Sequence, residues 1–97
     1  MPTQIKPKIL ELSIVPIKSF GGTIQAFANF LLVFGSYQLY LGGVAIHSDA
    51  PRRSFRLTYP TRKLQNGQEI PIFHPVGKEL GEILETEIVS AWERLIQ

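Results

Sequence analysis

The spacing of apolar positions changes near residue 75 of this chain. Up to His74 they alternate with polar positions in several places; after Pro75 they recur at steps of three and four. Alternation places every second side chain on one face of a strand, whereas steps of three and four line one side of a helix. The segment from Lys8 to Ile17 (KILELSIVPI) alternates, with Leu10, Leu12 and Ile14 expected on one face and Glu11 and Ser13 on the other. Pro16 cannot donate to a ladder and marks a strand end or an edge. Gly21-Gly22 reads as a turn. Residues 23–34 and 37–46, rich in Phe, Ile, Val and Tyr, read as the second and third strands.

Ser48-Asp49-Ala50-Pro51 reads as a loop, and Ser54 to Tyr59 as a fourth short strand ended by Pro60. Asn66-Gly67 is the strongest hairpin-type turn signal in the chain, with a short fifth strand from Ile70 to His74 after it. Beyond Pro75, Leu80, Ile83, Leu84, Ile88, Ala91, Trp92 and Leu95 form the stripe of an amphipathic helix over about residues 78–96. Glu79 and Glu82 near its start and Arg94 near its end suit the helix dipole. The expectation is an α+β fold: an antiparallel sheet of about five strands followed by a C-terminal helix packed on it. With no repeats or linkers, residues 1–97 read as a single domain, with 1–7 a frayed N-terminus.

One stretch suggests a different solvent. Ser19 to Ser48 carries no formal charge, and by length alone it can span a bilayer. Gln25, Asn29, Ser36 and Gln38 interrupt it, as do Gly35, Gly42 and Gly43, and its polarity alternates at Thr23–Ala26 and Tyr37–Tyr40. Two antiparallel strands joined near Gly35-Ser36 explain it better than one helix. It also lies too far from the N-terminus for a secretory signal. The expectation is therefore no membrane partner and a cytoplasmic location, which the lack of cysteine suits.

Composition narrows the chemistry. With 44% hydrophobic and 19% charged residues the chain is ordinary globular material. The absence of cysteine excludes disulfide scaffolds, thiolate zinc sites and thiol nucleophiles. Two histidines and few carboxylates before the C-terminal helix leave little for a metal cage, so neither a metal nor a cofactor is expected. Only the distribution of charge is informative. The net charge is +2, yet residues 1–78 carry nine Lys and Arg against three acids, while residues 79–97 carry five Glu and one Arg. A basic body and an acidic end are a hint of an anionic partner for the body.

The basic residues cluster. Arg52, Arg53, Arg56, Arg62 and Lys63 fall within twelve positions with no acid among them. Arginine forks match phosphate oxygens, and lysine adds a compact point charge. Phe55 and Tyr59 lie in the same run, and an exposed ring there can stack on an unpaired base. The same charges also suit an edge strand guarding itself against pairing, and the residues alone leave both readings open. His74, before Pro75, reads more readily as a packed residue than as a catalytic one, and His47 borders the predicted loop. Asp49 is the only aspartate, so no Ser–His–Asp set can be assembled, and neither GxxxxGK[ST] nor GxGxxG occurs. The helix glutamates read as a solvated face. No enzyme and no small-molecule substrate are expected.

From Phe55 to Leu95 the order of features resembles the SpoVG (stage V sporulation protein G, septation protein) family. The resemblance rests on FRLTYPTRKLQNGQEIPIFHP followed by an amphipathic helix. Thr58-Tyr59-Pro60-Thr61 followed by Arg62-Lys63 is similar to the family's small-residue–Met–Pro–Ser step and basic pair. Gln65-Asn66-Gly67 is similar to its Pro-Asp-Gly turn, and Ile72-Phe73-His74-Pro75 to its Ile-Ala-His-Pro step. The resemblance implies a small bacterial nucleic-acid-binding regulator of septation or sporulation. It implies a homodimer in which the sheets of two protomers join, without cofactor or enzymatic activity. It carries Arg62 and Lys63 over as binding positions, with Asn66 beside them in the turn, and His74-Pro75 as the entry to the helix.

The chain departs from the family where the helix begins. Val76-Gly77-Lys78-Glu79-Leu80-Gly81-Glu82 stands where members have a Thr-Arg-x-Lys-like basic start, and the first strand has Glu11 and Ser13 where members often have arginines. Arg52, Arg53 and Arg56 lie before or within the strand that leads to the basic pair and can compensate. The expected contact set for DNA or RNA is therefore Arg52, Arg53, Arg56, Arg62, Lys63, Asn66 and Lys78. The alternative is a protein-interaction module of the same fold with reduced or lost nucleic-acid binding.

Overall fold

The computed structural model describes residues 6–18, 22–49 and 54–97. It is α+β, and its described residues form six strands and one helix: β1 (Lys8–Pro16), β2 (Ile24–Phe34), β3 (Tyr37–Asp49), β4 (Ser54–Thr58), β5 (Thr61–Lys63), β6 (Glu69–Pro71) and α1 (Lys78–Leu95). The strands form two sheets rather than the single one expected. β1-β2-β3-β4 make an antiparallel four-stranded sheet, and β5-β6 a separate two-stranded one. Thr61–Lys63 is a strand that the hydrophobic pattern does not announce. At three residues it is too short for alternation to declare itself.

The uncharged stretch resolves into the β2–β3 hairpin. Phe34 pairs with Tyr37, leaving a two-residue loop, Gly35-Ser36. Gly35 has φ 55, a left-handed value that a side chain disfavours and that such tight hairpins require. No helix among the described residues is long and apolar enough to cross a membrane.

One face of the large sheet carries α1. Ala26, Ala28, Phe30 and Leu32 of β2, Val44 and Ile46 of β3, and Leu84, Ile88 and Trp92 of α1 form the buried cluster. Small alanines on β2 combine with large side chains of the helix. Phe30, Ile46, Leu84, Ile88 and Val44 are the largest fully buried side chains, and such burial contributes about 1.5–3 kcal/mol apiece. Phe55 meets Trp92 edge-on, with ring centroids 6.3 Å apart. Trp92 is thus core, as its place in the stripe predicts.

The ladders of the sheet shift register at three points, between Leu10 and Ser13 of β1, between Ile24 and Ala26 of β2, and where β3 passes Ala28 to Phe30; the first and the last are bulges that exchange inward and outward residues. Between Leu10 and Ser13 of β1 the ladder takes one more residue than β2 does between Leu31 and Asn29. Glu11 sits at that point with φ 51. The extra residue turns the strand over: Ile9 packs on the core on one side of it, Leu12 and Ile14 on the other. Leu10, expected with Leu12 and Ile14, instead faces outward and is 47% exposed. The second bulge is in β3, where Leu41 to Val44 spans Phe30 to Ala28. Asn29 Oδ1 accepts the Gly43 N–H at 3.0 Å, and Gly43 has φ 82. A Cβ on Gly42 would lie 2.6 Å from that same oxygen, so a glycine is required for the approach.

Candidate nucleic-acid interface

The basic pair stands on the smaller sheet. Arg62 is opposite Ile70 and Lys63 opposite Glu69, and every residue of β5 and β6 is exposed. With almost nothing to bury, this hairpin is held by its turn and its base. Leu64 N–H donates to Gln68 O at 2.7 Å and Gly67 N–H to Leu64 O at 3.0 Å, enclosing a three-residue loop with Gly67 at φ 88. That is a turn closed by a left-handed residue, which Asn66-Gly67 supplies. At the base, Ile72 N–H donates to Pro60 O at 2.9 Å. Tyr59 and Phe73, flanking the two strands, meet edge-on with centroids 6.0 Å apart.

The predicted contact residues separate in space. Arg62 and Lys63 are adjacent on the hairpin, and neither has an ion pair among the described residues. Asn66 is committed to its own turn: its Oδ1 accepts the Gln68 N–H at 2.9 Å, and its Nδ2 donates to Gln68 Oε1 at 3.2 Å. Arg56 is exposed on β4 between two inward residues, Phe55 and Leu57, so it projects from the sheet face that α1 does not cover. Lys78 opens the helix on the other side of the sheet and pairs with Glu82 at 3.8 Å. Both of those side chains are well exposed, so the pair contributes little. Arg52 and Arg53 lie outside the described residues.

The two aromatic rings expected as stacking platforms are engaged elsewhere. Phe55 packs on Trp92, and Tyr59 is clasped to Phe73. Burial, with the Glu85 carboxylate as a lesser cause, pushes the Tyr59 hydroxyl up to about 12. What the hairpin offers is a guanidinium fork and an ammonium at successive positions of one strand, turned to opposite faces and both exposed, each able to meet a phosphate oxygen.

One arrangement on the face opposite the helix had no sequence signal. His47 lies within β3, not beside a loop, because the strand runs on to Asp49. Its Nδ1 is 2.8 Å from Thr23 Oγ1, and its Nε2 is 2.7 Å from Thr58 Oγ1. Arg56 stands opposite it in the ladder. Burial, and secondarily the Arg56 charge, hold the His47 ring below its usual pKa. Thr23 is 24 residues away in the chain, so only the strand register brings these groups together.

Among the described residues no cluster of His, Asp and Glu could hold a metal ion. The chain matches no protein-family model, no curated protein and no solved structure. The likeness to the SpoVG family therefore stands on the motif residues between Phe55 and Leu95 themselves.

Proposed function

We propose that this chain is a non-enzymatic, SpoVG-like bacterial regulatory protein of the cytoplasm that binds DNA or RNA as a homodimer. The observation that carries the reading is the exposed, unpaired Arg62-Lys63 step on a projecting hairpin, in the sequence context that resembles SpoVG. Contacts go chiefly to phosphates, and sequence preference is modest. Two copies are favoured by an unguarded sheet edge. The β1 edge is flanked by Lys6, Pro7 and Lys18 and carries Lys8, Pro16 and a bulge, all devices that block further pairing. β4 covers β3 only from Ala45 to Asp49, and the outer edge from Tyr37 to Leu41 has no charge or proline. Tyr37 is 78% and Tyr40 66% exposed there. The radius of gyration, 14.8 Å, exceeds the roughly 12.5 Å of a compact chain this long. Such an outline suits a protomer that is completed by a second.

The test is a fluorescence-anisotropy titration with a short duplex DNA and a single-stranded RNA at two salt concentrations, with light scattering on the same complexes. The wild type binds as two chains per complex. Arg62→Ala/Lys63→Ala weakens binding and flattens the salt slope on duplex DNA by about 0.9 for each phosphate no longer neutralised. Unchanged binding in the double variant refutes the site. No binding of either nucleic acid at low salt refutes the function, and a monomer at micromolar concentration refutes the dimer. A second reading, a protein-interaction module for a basic partner, is favoured by the exposed glutamates of α1 and by Lys78 being drawn to Glu82. Retained dimerisation without nucleic-acid binding would select it.

A further inference from the structure

His47 joins three parts of the large sheet through two threonine hydroxyls. A hydroxyl can both donate and accept, while a neutral imidazole has one N–H and one bare nitrogen. In the neutral state, therefore, one threonine must turn its O–H toward the bare nitrogen, and only the other keeps its hydrogen free. When the ring takes up a proton, both ring N–H groups donate and both hydroxyl oxygens accept. The number of hydrogen bonds to the ring is unchanged, and both hydroxyl hydrogens are now free to point outward. Protonation thus adds one outward donor and one positive charge without moving a strand.

The groups around the ring decide what that donor would meet. Across the ladder stands Arg56, at a separation where cross-strand partners have Cβ atoms about 4.5–5.5 Å apart. Asp49 lies two residues along β3 and has an interaction of its own. Thr23 and Gln25 on the β2 side are uncharged, as are Ser54 and Thr58 on β4. Lys18 follows β1, one strand further away. A charged His47 opposite Arg56 is two like charges facing each other across one ladder step, an unfavourable state that an anion between them would relieve.

We propose that His47, Arg56, Thr23 and Thr58 form a phosphate-binding subsite on the sheet face away from α1, filled with uptake of a proton. Arg56 supplies the fork, the threonines supply hydroxyl donors, and His47 supplies a positive charge that a bound anion makes more favourable. The assignment of its natural phosphate to a nucleic-acid backbone rests on the proposed function; the subsite itself does not.

The ring can be followed directly by nitrogen-detected NMR of the whole chain, with His74 as the reference in the same spectra. Inorganic phosphate, compared with chloride at equal ionic strength, raises the His47 titration midpoint by about half a unit, a roughly threefold coupling, and Arg56→Ala abolishes the rise. An equal midpoint in phosphate and chloride overturns the subsite. In a second arm, a 12-nucleotide single strand binds the wild type about threefold more tightly at pH 5.5 than at pH 7.5, relative to a His47→Gln variant. Thr58→Val, which keeps the ring and removes one hydroxyl, lessens the same pH effect and serves if His47→Gln does not fold. A phosphate-dependent midpoint with no oligonucleotide binding supports the subsite and refutes the nucleic-acid reading. Oligonucleotide binding with no pH effect beyond that of His47→Gln and an unmoved midpoint does the reverse.

Discussion

The helix-covered sheet and the β5–β6 hairpin are held together by different forces. The first buries Phe30, Ile46, Leu84 and Ile88 completely, while the second buries nothing in either strand. Its conformation comes from a three-residue loop, one hydrogen bond at its base and the Tyr59–Phe73 clasp. A side chain in a core answers to volume and shape. One on an exposed ladder answers to little beyond turn chemistry, so it can be chosen for what it binds. In this chain the unpaired Arg62-Lys63 step lies where burial has no claim.

Substitutions in the two regions test that division, beginning with the largest effect. Ile88→Ala empties a fully buried position and should cost about 2–5 kcal/mol in denaturant unfolding, enough to unfold a large fraction of a small domain. A cost under ~1 kcal/mol would mean that the helix is not the lid of the core. Next come two glycines. Gly42→Ala drives a Cβ onto Asn29 Oδ1 and disturbs its bond to Gly43, at about 1–3 kcal/mol of global stability. Gly67→Ala meets no neighbour but must hold φ 88, a strain of about 1–2 kcal/mol. Its loss should appear as faster amide exchange within residues 61–71, with the global transition nearly unmoved. If both alanines lower the global transition equally, the hairpin is part of the cooperative unit. Smallest is Arg62→Ala/Lys63→Ala, expected to leave unfolding within about 0.5 kcal/mol of wild type. A larger shift would make these residues structural.

The sequence declares most of the large elements, for physical reasons that also explain what it withholds. The helix is legible because seven apolar residues keep one period over four turns, and it runs from Lys78 to Leu95. β2 is legible because residues 23–34 are rich in Phe and Ile, although which of them turn inward (Ala26, Ala28, Phe30 and Leu32) shows only in the folded sheet, since Phe27, Leu31 and Val33 are apolar as well. In β1 the alternation misleads at Leu10, since a bulge at Glu11 exchanges faces and leaves no mark in composition. β5 escapes notice because its side chains bury nothing and so carry no periodicity. Of the candidate site, the basic pair and its turn are visible as local sequence. That Arg56 and Lys78 project from opposite sides of the sheet depends on strand parity, and the threonines around His47 depend on register.

The bulge at Gly42-Gly43 makes the number of residues in β3 as consequential as their identity. On its far side the even positions, Val44 and Ile46, point into the core; toward the hairpin tip the odd position Leu41 does. Deleting one of the two glycines would splice these halves in phase. Tyr37, Leu39 and Leu41 would turn outward, while Gln38 and Tyr40 would turn in beneath the helix side. Replacing a side chain along this strand alters one contact, but removing one residue exchanges two surfaces. Length variation at this point is therefore a change of architecture, and a one-residue deletion here should be tolerated far less well than most substitutions nearby.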